Sequence, residues 1–483
     1  MNKSYFNPVN SSFWLFTLAI FCALILPQLV QDGMFVDGIF YAAISHNLAH
    51  HLGTFWNPHY SETLYPSLHE QPPLMFWMQA QFFRLLGDSI YVERIYSLLT
   101  AIMNAVGISL IWKEIFKDNS KLIQQGWLPI LLWIIVPICF WTYVNNMEEC
   151  TMSIFDVFAV YFIFKSFNQS NKIPFLLIAG GFIFLASLTK GPQGLFPLCV
   201  VALRYFTHKN ISLKLGCIYS LVILSVPTII YLYFFSNPVI RESFHQYFQR
   251  RFVLTFNNQN QTTDFRFYLI FRLLGEMIPV LLFTSIVIIF NRKKKIIGNY
   301  FQENKKNIIF FMLIGLSASL PLMITKEQRG FYLVTSLPYF SLAFAIIISP
   351  YISLLINQFM PKLIRIFKII SIILFAGVMT FTFMQFGKTK RDEVLLHDIY
   401  EMQNNLTRNT IVSTNHAIFY DWFVHAYFQR LLNVSLDEDS LRTYVLIYKT
   451  DSVKPNTKGY FKVSLPTIRY DLYQMRKNES SHL

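Results

Sequence analysis

The chain has 483 residues, 54% of them hydrophobic and 14% charged, and its 41 Lys and Arg against 27 Asp and Glu give a net charge of +14. A soluble domain carries roughly 25% charged residues, disorder requires low hydrophobicity, and five Cys are too few for a secreted disulfide scaffold. What remains is an all-α polytopic membrane protein, in which a positive excess reports topology rather than nucleic-acid binding.

The first apolar run, Phe13 to Val30, is long enough to cross a bilayer, which takes about 20 residues. Only Lys3 precedes it and no small-residue cleavage site follows, so it reads as an uncleaved anchor. Further spans are expected near 92–112, 127–144, 151–168, 173–189, 192–207, 215–235, 268–290, 307–325, 331–357 and 366–386, eleven in all. Pro137, Gly180 and Pro227 inside them are tolerable where neighbouring helices satisfy freed backbone groups. The stretch Pro72 to Gly87 is short and holds Gln79, Gln81 and Arg84, so it reads as interfacial.

Charge placement supports this count. With the N-terminus inside, 18 basic residues fall on inner segments. Eight fall on outer loops: Arg84, Lys190, Arg241, Arg250, Arg251, Arg266, Lys326 and Arg329. The loop Gln31 to Gln71 has none. Eleven spans obey the positive-inside rule and a twelfth would break it. The membrane domain is then 1–386, with an outer loop, 31–90, that carries juxtamembrane helices. Residues 387–483 lie outside as a small α/β domain. Asp398 to Leu406 and Asp421 to Leu432 read as helices there, and Asn409 to Ser413 and Tyr444 to Tyr448 as strands. The five Cys lie in or at the ends of spans and read as small buried hydrophobes.

The informative residues are polar and on the outer side. Asp37 opens a segment with apolar residues at helical spacing, and Tyr41 lies one turn on. An anion is favoured at a helix start by the dipole, and a plain N-terminal cap stays open as the alternative. His46, His50, His51, His59 and His69 match no metal-ligand spacing, so no metal or other cofactor is expected. Glu70 and Gln71 precede two prolines that open a helix. Glu148 and Glu149 are adjacent carboxylates at an outer membrane boundary with no nearby Lys in sequence, and Asp156 shares the Glu149 helix face. Lys190, Arg250, Arg251, Lys326 and Arg329 are cations kept outside, where they suit a phosphate. Carboxylates accept a proton from an acceptor, and cations stabilise a leaving phosphate. That combination suits transfer from a lipid-linked phosphate donor. A transporter or lipid flippase is the alternative, with Asp156, Arg272 and Glu276 as its charges near the midplane. A structural or partner-binding membrane subunit is another.

On these residues the chain resembles the polyprenyl-phosphate-sugar transferases of the type C glycosyltransferase fold. Relatives in that family include lipid A aminoarabinose transferases and protein O-mannosyltransferases. Asp37-Gly-Ile-Phe-Tyr41 looks like the family's first-loop acidic motif, Glu70-Gln-Pro-Pro-Leu74 like its E-K-P-P-L segment, and Leu188-Thr-Lys190-Gly-Pro192 like its L-x-K-G-x segment. Glu149 takes the place of the second-loop acid, and Arg94 matches an Arg that often follows the interfacial helix. Weaker matches are Tyr247 to Phe252 and Lys326 to Pro338. Three positions depart from the pattern: the usual Glu after the first Asp is Gly38, the usual Lys is Gln71, and the usual second Asp is Glu149.

The resemblance implies a multi-pass enzyme of the bacterial inner membrane with a periplasmic active face. It would take a sugar from a polyprenyl-phosphate donor to a lipid, protein or glycan acceptor, with inversion. Asp37, Glu149 and, as a lesser candidate, Glu148 would be catalytic. Arg94, Lys190, Arg250, Arg251, Lys326 and Arg329 would hold the donor phosphate, and Tyr41, Glu70 and Gln71 would position substrate.

Overall fold

A computed structural model describes residues 8–257, 259, 261–290, 297–438, 442–451 and 459–476. Lys3 and the basic run 292–295, used in the charge count, lie outside the described residues. The chain divides into two compact units. Unit 1 comprises Met1–Leu29, Ser97–Val144 and Glu148–Phe386; unit 2 comprises Val30–Tyr96, Asn145–Met147 and Gly387–Leu483.

Unit 1 is helical. Among the described residues, seven helices are long and apolar enough to cross a membrane, or up to nine if each of two bent pairs is one span. The expected eleven are not confirmed. Two of them, 173–189 and 192–207, fall within one apolar helical segment, Ile173–His208. A third, 151–168, falls in the helix Glu148–Ser166, which carries Glu148, Glu149, Asp156 and Lys165. The bends have local causes. Between Ile123–Ile134 and Pro137–Val144 the axis turns by 80°, at a proline. The turn frees the Ile138 N–H, which donates to Glu276 Oε2 at 2.7 Å. Arg272 fixes that carboxylate from one helical turn away, at 2.7 Å. The second bend, 48°, separates Tyr268–Glu276 from Ile278–Phe290. All five Cys are free; Cys22, Cys139 and Cys150 are buried as expected, whereas Cys199 is half-buried and Cys217 exposed.

Unit 2 builds one core from the first outer loop and the tail. Phe40, Tyr41, Tyr60, Met75 and Phe76 share a buried cluster with Ile399, Val424, Tyr427, Leu446 and Leu472. The loop supplies helices Val36–Ala49 and Leu74–Leu86, with a short hairpin, β1 (Gly53–Thr54) and β2 (Asn57–Pro58), between them. The tail supplies β3 (Ile411–Thr414), β4 (Ser435–Asp437), β5 (Tyr444–Tyr448), β6 (Tyr460–Lys462) and β7 (Tyr470–Met475). The sheet order is β4-β3-β5-β7-β6. β3 pairs parallel with β4 and β5, while β7 pairs antiparallel with β5 and β6. Helices Glu393–Met402 and Trp422–Tyr427 accompany it. The tail is therefore α/β as expected, and β5 has the predicted bounds.

Candidate active site

In unit 1 the helix Glu148–Ser166 begins with two buried carboxylates. Their cation comes from the far end of another helix, Ile173–Lys190. Lys190 Nζ donates to Glu148 Oε2 at 3.1 Å and lies 2.8 Å from Glu149 Oε1. All three side chains are buried. Glu149 Oε2 and Glu148 Oε1 have no hydrogen-bond partner among the described residues. Buried polar atoms are rarely left so, and a carboxylate oxygen without a donor is one that an acceptor hydroxyl or amine can use.

Lys190 is held there by the turn that follows it. Gly191 has φ +67, a conformation that favours glycine. A Cβ on Gly191 would meet the Tyr247 hydroxyl at 2.2 Å. Gly194 is packed on the backbone of Ala186 and Ser187, so the chain doubles back at this turn. Burial, and after it the Glu148 carboxylate, pushes the Tyr247 phenol well above its ordinary pKa. Tyr247 therefore stays a neutral donor.

A third buried acid completes the cluster. Glu327 pairs with Arg251, accepts from Thr255 Oγ1 at 2.7 Å and accepts from the Tyr332 hydroxyl at 3.3 Å. The Tyr332 ring lies 5.3 Å from Lys190 Nζ. Arg251 sits on a π-helical turn, Phe248–Val253, which places it half-buried while its neighbour Arg250 is exposed. Lys326 is half-buried and Arg329 exposed, on either side of Glu327. Of the residues expected in the site, Glu148, Glu149, Lys190 and Arg251 are thus brought together. Glu327, Tyr332 and Tyr247 join them from the two segments given as weaker matches, none of the three having been named as a site residue.

Unit 2 holds the other expected residues. Asp37 lies in the first turn of Val36–Ala49, where the helix dipole favours its charge. That turn is tied down from a distant loop. Phe35 N donates to Asn145 Oδ1 at 3.1 Å, and Asn146 Nδ2 donates to Gly38 O at 3.1 Å. Gln79 Nε2 in turn donates to Asn146 Oδ1 at 2.7 Å. A Cβ on Gly38 would lie 2.0 Å from Asn145 O. The acid that is usual after Asp37 therefore has no room here. Tyr41 is buried one turn on, and Glu70 and Gln71 are half-buried just before Pro73, which caps Leu74–Leu86.

Arg94 is set differently from the other cations. It is buried, and its guanidinium donates to Gln31 O, Ile90 O, Glu93 and Asp32. Arg430 reaches the other Glu93 oxygen at 2.8 Å. Arg94 thus knits the loop and tail of unit 2 into one ion-pair network.

Residues 70–234 match a family model described as dolichyl-phosphate-mannose-protein mannosyltransferase. That stretch contains Glu70, Glu148, Glu149 and Lys190. No curated protein matches the sequence. Among solved structures, ArnT from Cupriavidus metallidurans bound to undecaprenyl phosphate aligns with TM-score 0.61 and 12% identity, over 95% of this chain and 97% of that one. The same protein in the apo state aligns with TM-score 0.60 and 13% identity, over 94% and 95%. At such identity the likeness speaks to the fold.

Proposed function

We propose that this chain, which has the type C glycosyltransferase fold, is an integral-membrane enzyme that moves a sugar from a polyprenyl-phosphate donor to a lipid, protein or glycan acceptor. The observation that carries the reading is the buried Glu148–Glu149–Lys190 cluster, with Arg251 and Glu327 beside it. Support comes from the mannosyltransferase family model, which spans that cluster, and from a fold shared with a structure that holds undecaprenyl phosphate. The transporter alternative gains no support from either. The inner-side excess of Lys and Arg favours a periplasmic active face in the inner membrane.

In the proposed reaction the acceptor hydroxyl or amine attacks the anomeric carbon as the carbon–oxygen bond to phosphate breaks. The acceptor proton passes to a carboxylate and polyprenyl phosphate leaves with the electron pair. One displacement inverts the anomeric centre. Glu149 is assigned as an acceptor-side carboxylate with Glu148 as the lesser alternative, and Lys190 and Arg251 as cations for the phosphate. Arg250, Lys326 and Arg329 are outer cations available to the same anion. Asp37 is assigned as general base or acceptor orienter, with Tyr41, Glu70 and Gln71 positioning substrate. No cofactor is assigned to this chemistry.

The test is transfer of labelled sugar from a polyprenyl-phosphate donor by purified protein. Asp37→Asn is expected to lower turnover by about 100-fold or more, the usual scale for a general base. Near-normal turnover in a folded variant would remove Asp37 from the mechanism. Gly191→Ala is expected to lower turnover by about 100-fold, because a shift of about 1 Å at a reacting site costs that much. The new methyl would collide with the Tyr247 hydroxyl and displace the Lys190 turn. Unchanged kinetics in this variant would show that the turn does not set the position of Lys190.

A further inference from the structure

The histidines of the first outer loop match no metal spacing in sequence, yet folding gives two of them a third donor. His46 and His50 lie four residues apart, so the end of Val36–Ala49 presents both on one face. Leu74–Leu86 ends at Gly87, whose φ of +79 turns the chain so that Asp88 meets them. His46 Nε2 lies 3.2 Å and His50 Nε2 2.8 Å from the same oxygen, Asp88 Oδ1. The three donor atoms all lie within 4.8 Å of one another. Donors on a tetrahedral zinc ion, each about 2.1 Å from the metal, stand roughly 3.4 Å apart. Small side-chain rotations would place all three on one ion.

The surroundings are built to hold that carboxylate. Buried Arg430 donates to Asp88 O at 3.2 Å and to Ser89 O at 2.8 Å. Its charge is answered by Glu93 at 2.8 Å, which moderates its repulsion of an incoming ion. Arg408 pairs with Asp88 Oδ2 at 3.4 Å, leaving Oδ1 toward the imidazoles. An outer partner of this kind commonly orients a ligating carboxylate. A cavity of about 270 Å³, whose lining includes His46, His50 and Asp88 together with Arg408, Arg430 and Tyr400, gives room for water at a fourth position.

We propose that His46, His50 and Asp88 bind a divalent transition-metal ion of the zinc class, with Arg408 orienting the carboxylate. Two imidazoles and one carboxylate are a donor set that Zn²⁺ accepts. The ion clasps the end of Val36–Ala49 to the turn after Leu74–Leu86, within unit 2. The proposal does not rest on the transferase reading.

The test uses full-length protein without a polyhistidine tag, stripped with a chelator and then titrated with Zn²⁺. Metal analysis is expected to find one zinc per chain. Co²⁺ in its place is expected to give the visible d–d bands of a four-coordinate site. Zn²⁺ should raise the thermal midpoint of the wild type and leave that of His50→Ala unchanged. Arg408→Ala, at an exposed position, should weaken Zn²⁺ binding by about 10–100-fold, the usual cost of an outer-shell loss. Absence of stoichiometric zinc uptake by the stripped wild type would overturn the proposal. Equal uptake by the wild type and a folded His50→Ala would overturn it as well. So would unchanged affinity in Arg408→Ala, for the role of Arg408.

Discussion

Replacing Glu149 by Gln is expected to lower the turnover of sugar transfer by about 100- to 10,000-fold, the range for a lost acid–base group. Glu148→Gln is expected to cost less. The two carboxylates are neighbours in sequence but not equivalent in setting. Glu148 Oε2 accepts a hydrogen bond from Lys190 at 3.1 Å and Glu149 Oε1 lies 2.8 Å from the same ammonium, each acid keeping one oxygen without a partner among the described residues, but only for the Glu148–Lys190 contact is the geometry that of a hydrogen bond. An amide cannot take up the acceptor proton, yet it keeps the shape of the side chain. Donor KM should therefore change little in Glu149→Gln while kcat falls. The comparison is single-turnover transfer by the two variants at saturating donor. If Glu148→Gln proves the more damaging, the roles of the two acids are exchanged.

Lys190→Ala is expected to damage both fold and function. It leaves Glu148 and Glu149 side by side, buried, without their cation. Breaking a buried ion pair by removing one partner costs about 3–5 kcal/mol, and thermal unfolding in detergent would show it. The double variant Lys190→Ala/Glu148→Gln removes one of the stranded charges as well. It should regain part of the stability and none of the activity, because the cation proposed for the departing phosphate is still missing. Residues in one network couple in this way. Recovery of transfer in the double variant would mean that Lys190 serves only to neutralise the acids.

Much of this site was legible because it rests on short local patterns. Lys190-Gly-Pro stands out as a cation kept outside between two apolar runs, and Glu148-Glu149 as adjacent acids at a span boundary. Glu327 lay in a segment given only as a weaker match, and its role was not legible. Its partners Arg251 and Thr255 are 76 and 72 residues away, and an acid in an outer loop breaks no local rule. The metal-ligand candidates show the same limit. His46 and His50 carry a helical spacing, but Asp88 comes from a loop 38 residues beyond His50. Arg94 was legible as a motif position, while its burial among Asp32, Glu93 and the tail could not be read from neighbours in sequence.

The fold divides along similar lines. Tyr444 to Tyr448 reads as a strand because it is a compact apolar run of β-forming residues. β7 contains Asp471, whose buried carboxylate is answered by Lys462 on β6 at 2.8 Å. That compensation lies on another strand and cannot be read from β7 alone. The helix expected at Asp398 to Leu406 is found at Glu393–Met402, since composition marks a helix better than its ends. The count of eleven spans is not confirmed, and the Gly191 turn inside the apolar helical segment Ile173–His208 shows why apolar length alone does not settle it.

The close approach of Gly38 to Asn145 has a consequence for how this chain can change over generations. The obstacle to a side chain at position 38 is a main-chain oxygen, and every amino acid carries that atom. No substitution at position 145 removes it. A second acid after Asp37 is therefore closed to stepwise mutation at these two sites. It would first require the 145–147 loop to be rebuilt, by insertion, deletion or a shift of its backbone.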